Sequence, residues 1–147
     1  MIQRIQTIYI LLSAVLIGLL FSFPFAEIAY HDQLYLFDIR GIVINDAIKE
    51  NGMPLALLIG LILLLHVFTL FIYKKRILQI RMLVFTMILM IGLFGLFYFF
   101  TYYAFDDAQI SFKLAVIFPL VAVILDYLAI RSIGKDEALI RSVDRIR

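Results

Sequence analysis

Residues 82–103 read MLVFTMILMIGLFGLFYFFTYY, twenty-two positions without one charged side chain. A hydrocarbon layer of about 30 Å is crossed by about 20 predominantly apolar residues, because a helix rises about 1.5 Å per residue. The stretch is long enough to span. Its closing run of Phe97, Tyr98, Phe99, Phe100, Tyr102 and Tyr103 has the composition of an interfacial aromatic belt. Upstream, residues 54–73 hold Leu, Ile, Val or Phe at 14 of 20 positions, open on Pro54 after Asn51-Gly52, and stop at Lys74-Lys75-Arg76. Residues 5–26 form a further apolar run, with no charged side chain between Arg4 and Glu27. Its basic start resembles a signal peptide, but residues 23–29 lack the small-residue pair of a cleavage site, so an uncleaved helix is expected. The last run, about residues 114–130, contains Pro119 and Asp126. Its eleven Leu, Ile, Val or Phe at about −0.3 to −0.6 kcal/mol each outweigh one off-centre Asp at about +2.5 to +3.5 kcal/mol.

Composition agrees with four spans. Hydrophobic residues make up 65% of the 147 and charged residues 16%, against about 45–50% and about 25% in soluble domains. The absence of Cys excludes disulfide scaffolds, thiolate metal sites and cysteine nucleophiles, and a net charge of +2 argues against nucleic acid as a partner. Of the thirteen basic residues, ten fall on one side of the spans: Arg4; Lys74, Lys75, Arg76 and Arg81; and Arg131, Lys135, Arg141, Arg145 and Arg147. The other side keeps Arg40, Lys49 and Lys113 together with Glu27, Asp32, Asp38, Asp46, Glu50, Asp106 and Asp107. Short basic loops stay in the cytoplasm, which puts both termini there.

The expected fold is therefore all-α: one membrane domain over residues 1–147, a four-transmembrane-helix bundle with a 27–53 outer loop and a 131–147 cytoplasmic tail. Within the outer loop, residues 34–44 are rich in β-formers interrupted by Arg40-Gly41, as in a short hairpin or ordered lid. His31-Asp32 lacks the ligand count of a metal site, and a solvated loop is the expectation there. In the tail, Asp136-Glu137 stand where a helix start favours acids, and Leu139, Ile140, Val143 and Ile146 share one face. That amphipathic helix would lie on anionic headgroups, dock on a partner, or cap the bundle.

The opening MIQRIQTIY (residues 1–9) and the ending DEALIRSVDRIR (residues 136–147), around four spans, resemble the family catalogued as domain of unknown function 4293. The resemblance covers the whole chain. It implies a small four-span protein of the bacterial inner (cytoplasmic) membrane of Bacteroidota, and it implies no activity.

Ionisable groups inside spans point to function or to buried pairing. Asp126 lies five residues before Arg131 and His66 seven before Tyr73, depths of about 7.5 and about 10 Å. Their helices run the same way, so the two meet if those helices adjoin. Ala115, Pro119, Ala122, Asp126 and Ala129 follow helical spacing on one narrow stripe, which turns Asp126 toward protein. Tyr9, Ser13, Thr69 and Thr86 fall in the same half, completing a candidate intramembrane polar cluster. Small-residue stripes Ala14, Gly18, Ser22 and Ala56, Gly60 suit helix contacts within the chain, in a homo-oligomer, or with other membrane subunits. One intramembrane His cannot supply facing haem ligands, and no phosphate loop or catalytic triad order occurs, so neither cofactor nor catalysis is expected. The leading expectation is a non-enzymatic accessory or scaffold subunit. It would present Arg4, Lys74, Lys75, Arg76, Arg81, Arg131, Arg141, Arg145 and Arg147 to a partner or to anionic lipid. The alternative is a small proton-coupled transporter or channel component using Asp126 and His66. An enzyme acting on lipid or quinone is a weaker third reading.

Overall fold

The computed structural model describes residues 3–31, 33–44, 47–102 and 108–144, with side chains throughout except at 3–4 and 139–144. Helix α1 (Gln3–Leu19) leads into four strands, β1 (Ala26–Tyr30), β2 (Gln33–Asp38), β3 (Gly41–Ile44) and β4 (Ala47–Asn51). Helices α2 (Met53–Phe71) and α3 (Arg76–Tyr102) follow, then β5 (Gln109–Phe112), a single 3-10 turn at Leu114–Val116, and α4 (Ile117–Asp144).

The chain is not all-α. Its five strands form one antiparallel sheet in the order β4-β3-β2-β1-β5, set on one end of the helices. The expected hairpin within residues 34–44 is the β2–β3 pair, and it is only the middle of this sheet. Alternation builds the rest: Ala26 and Ile28 of β1 and Tyr35 and Phe37 of β2 turn inward, because successive strand residues face opposite sides. The outer strand β4 is exposed along its whole length and carries Lys49 and Glu50, charges that discourage edge pairing. At the β2–β3 turn Asp38 accepts hydrogen bonds from the Arg40 backbone N–H (2.7 Å) and from its guanidinium (2.7 and 3.0 Å). Gly41 follows with φ +109°, where a Cβ would sit 1.9 Å from the Glu50 carbonyl oxygen. Only glycine fits that close approach.

Residues 5–26 do not form one spanning helix either. α1 stops at Leu19, after 17 residues, or about 25 Å. The residue before a proline is driven out of the helical region, and Phe23-Pro24 ends any continuation. Three helices are long and apolar enough to cross a membrane, and α1 is a shorter apolar one. Pro119 does not break α4, since it lies in the first turn after Ile117, where its missing N–H costs nothing. At its other end α4 continues through Gly134 to Asp144 as one helix of 28 residues, so the tail is not a separate helix.

Each helix packs on its chain neighbours and α1 closes against α4, giving a ring in which α1 faces α3 and α2 faces α4 across the centre. Polarity runs opposite to that of a water-soluble domain. His66, Thr69, Thr86 and Asp126 are buried, while Leu57, Leu64, Phe71, Ile88, Ile91 and Ile124 are exposed. So large an outward apolar surface suits lipid. Where the ring meets the sheet, Phe25, Phe37, Phe97 and Phe100 interlock, with centroids 4.9–6.0 Å apart. The expected aromatic belt is thus divided: Phe97 and Phe100 are core, and Tyr98, Phe99 and Tyr102 remain outside. Tyr103 lies outside the described residues.

Candidate functional site

The ring carries one polar layer to which every helix contributes a side chain. Ser13 comes from α1, His66 from α2, Thr86 from α3 and Asp126 from α4, all with no exposed surface. Heptad-like repetition on each helix brings them level: one turn nearer the sheet lie Ile17, Ile62, Met90 and Ala122, and one turn farther lie Ile10, Leu83 and Ala129. The layer separates these two apolar cores. It sits in low dielectric, so each polar atom needs a protein partner.

Across the ring, His66 Nε2 lies 3.1 and 3.2 Å from the two Asp126 carboxylate oxygens. Nδ1 lies 2.9 Å from the Ile62 carbonyl, which can only accept, so Nδ1 carries a proton. The geometry then fits one further proton between Nε2 and the carboxylate, donated from whichever side holds it. Ser13 Oγ lies 2.9 Å from Nε2 and 3.3 Å from the Ala122 carbonyl, to which its hydroxyl donates. The Thr86 hydroxyl has the Leu83 carbonyl at 2.8 Å and Asp126 Oδ2 at 3.4 Å as acceptors.

Two other residues of the expected cluster stand apart. Thr69 donates to the Leu65 carbonyl at 2.7 Å within its own helix, and Tyr9 is half-buried against the farther apolar core. Gln79 Nε2 donates to the Thr69 carbonyl at 3.3 Å. A pair that sequence reasoning missed closes the ring still farther from the sheet. Gln6 Nε2 donates to Asp136 Oδ2 at 2.5 Å, and both residues are buried. The signal was present: Asp126, Ala129, Ile133 and Asp136 continue the α4 stripe by three, four and three residues, and Gln6 lies seven before Ser13.

Of the expected basic face, Lys74, Lys75, Arg76 and Arg81 line one cavity of about 620 Å³, joined by Glu137 of α4. Arg131 is exposed and does not line that cavity. The side chains of Arg4 and Arg141 are not among those described, and Arg145 and Arg147 lie outside the described residues. At the sheet end, Glu27 pairs with Lys113 at 2.6 Å and Asp38 with Arg40 at 2.7 Å. His31 is exposed with φ +48°. Asp32, Asp46, Asp106 and Asp107 lie outside the described residues. Among the described residues, no group of three or more His, Asp or Glu is placed to hold a metal ion. At the two glycines of the expected contact stripes a Cβ would find room, meeting nothing within 4 Å at Gly60 and only Leu63 at 4.0 Å at Gly18.

A family model described as "Domain of unknown function (DUF4293)" matches residues 2–146. Neither the curated proteins nor the solved structures return a match.

Proposed function

Since the chain belongs to this family, whose description assigns no activity, we propose from its own geometry that it is a non-enzymatic accessory or scaffold subunit of a bacterial inner-membrane complex. In this reading the polar layer holds the helices together and the two ends do the work. The observation that carries it is the closure of the layer: Ser13, His66, Thr86 and Asp126 have no exposed surface, and their polar atoms satisfy one another. Such a layer fixes which helix faces which, because any other rotation strands a polar group in hydrocarbon. The ends are unlike. One carries the sheet, and the other carries the α2–α3 turn with Lys74, Lys75, Arg76 and Arg81. Basic loops face the cytoplasm, so the sheet faces outward.

The test is native mass spectrometry of the full chain drawn from its own membrane in mild detergent. A stoichiometric protein partner is expected, released when Arg131, Arg141 and Arg145 are changed together to Glu and kept in Asp126→Asn. Recovery of the chain alone, with and without those changes, would remove the subunit reading.

A second reading rests on the His66–Asp126 contact itself, an imidazole and a carboxylate placed to pass one proton inside the ring. A proton-coupled transporter or channel component would show flux in proteoliposomes that Asp126→Asn abolishes. Absence of flux with the unaltered chain would eliminate it.

A further inference from the structure

At the end remote from the sheet, the cavity between the α2–α3 turn and α4 sets four cations, Lys74, Lys75, Arg76 and Arg81, around one carboxylate, Glu137. Arg76 is among the residues that line it, and its Nη1 is buried with no hydrogen-bond partner among the described residues. Four cations against one carboxylate leave the cavity with an excess of positive charge, which an anion's oxygens would offset. Arg76 is also the first residue of the 27-residue α3, whose N-terminal N–H groups and dipole favour negative charge. The cavity does not end at the charges. A second hollow of about 520 Å³ shares Lys74, Lys75 and Leu78 with it and is walled by Phe68, Phe71 and Ile72 of α2 and the turn beyond it. Phe68 and Phe71 are 52% and 77% exposed, so this apolar groove opens on the outward surface of the ring.

We propose that the α2–α3 pocket binds the phosphodiester headgroup of an anionic phospholipid, with an acyl chain lying in the adjoining groove. Planar guanidinium and flexible ammonium groups together match tetrahedral phosphate oxygens. The groove selects a lipid over free phosphate, because its Phe68 and Phe71 walls have no role in binding an ion alone. The cation excess selects an anionic lipid over a zwitterionic one, whose choline would meet like charge. An acidic protein segment fits less well, since it would carry polar backbone down to acyl-chain depth. The site rests on the membrane-spanning reading and is independent of whether the chain has protein partners.

The experiment uses the full chain in mild detergent. Phosphatidylglycerol, phosphatidylcholine of the same chain length, and inorganic phosphate are each titrated and the adducts read by native mass spectrometry. One phosphatidylglycerol is expected to be retained about tenfold more tightly than phosphatidylcholine. Arg76→Gln should weaken it by about tenfold, and Lys75→Gln or Arg81→Gln, both at exposed positions, by about fivefold each. Arg131→Gln lies outside the pocket and should change nothing. Equal retention of the two lipids, or indifference to all three pocket changes, would overturn the proposal. So would inorganic phosphate binding as tightly as the lipid. A parallel alkaline-carbonate wash of vesicles separates the premises: release of the chain overturns the membrane reading and the site with it. Retention without lipid preference overturns the site alone.

Discussion

At Asp126 a carboxylate without exposed surface is held from across the ring by His66 and from the side by Thr86. Asn keeps the shape and a hydrogen-bonding oxygen, so Asp126→Asn should cost about 1 kcal/mol or less in a detergent-unfolding titration. Asp126→Ala strips His66 Nε2 of its carboxylate and should cost more, up to about 2 kcal/mol in a membrane setting. The double change with His66→Ala should be non-additive by about 0.5 kcal/mol or more, because the two are one unit. At Gly41 the constraint is backbone. With φ +109° and a would-be Cβ 1.9 Å from the Glu50 carbonyl, Gly41→Ala should cost about 2 kcal/mol or more and open residues 38–52 to protease. The Asp126 and His66 pair could be read ahead of the structure because ionisable residues in apolar runs are rare and their depths matched. Gln6 and Asp136 could not be read so directly. Asp136 follows Gly134-Lys135 and looks like a helix start, and its partner stands 130 residues away.

Among the elements, β5 is the least expected and the most consequential. It has four residues, yet it pairs along β1 from Ala26↔Phe112 to Ala29↔Gln109. The backbone N–H of Lys113, just beyond it, donates to the Phe25 carbonyl at 2.7 Å, while the Phe25 N–H donates to Phe37 at 2.7 Å. Phe25 thereby ties three segments at the point where its ring meets Phe97. The chain has no Cys, so the pairing is directly testable. Glu27→Cys with Ser111→Cys are register partners, about 4.5–5.5 Å apart at Cα, within disulfide reach. Mild oxidation should cross-link them to completion on a non-reducing gel, and Glu27→Cys with Phe112→Cys, on opposite faces, far less. The β2–β3 hairpin was visible in its β-formers around Arg40-Gly41. β1 was not, because Ala26–Tyr30 adjoins an apolar run, and apolarity alone does not distinguish the end of a helix from a buried strand. β5 was hidden by its shortness and by a partner some eighty residues earlier in the chain.

For the molecule as a whole, the polar layer serves as a ruler. From it α1 continues only six residues toward the sheet, from Ser13 to Leu19, about 9 Å. α3 continues from Thr86 past Phe100, about 21 Å. The sheet fills that step, with Phe25 and Phe37 against Phe97 and Phe100. An open sheet edge is not tolerated in hydrocarbon, so the strands should lie at a membrane–water interface and beyond it. The chain also lacks Trp, which makes single-Trp depth measurements clean. Val15→Trp, on the exposed side of α1, should be strongly quenched by lipids brominated in their acyl chains, and Ile48→Trp on β4 little quenched. Four apolar runs were enough to place the helices along the chain, though not the early end of the first or the continuation of the last into the tail, and the charge asymmetry supplied only an expected direction. The sheet escaped because its face is completed only by residues from two distant stretches. That division also sets an order in time. As the polypeptide emerges, β1 to β4 can pair among themselves once α1 is in place, but one side of β1 must wait until α2 and α3 have been threaded and β5 appears. The last strand works as a latch: a nascent chain stalled before residue 109 presents a bare β1 edge, open to a chaperone or to another copy of itself.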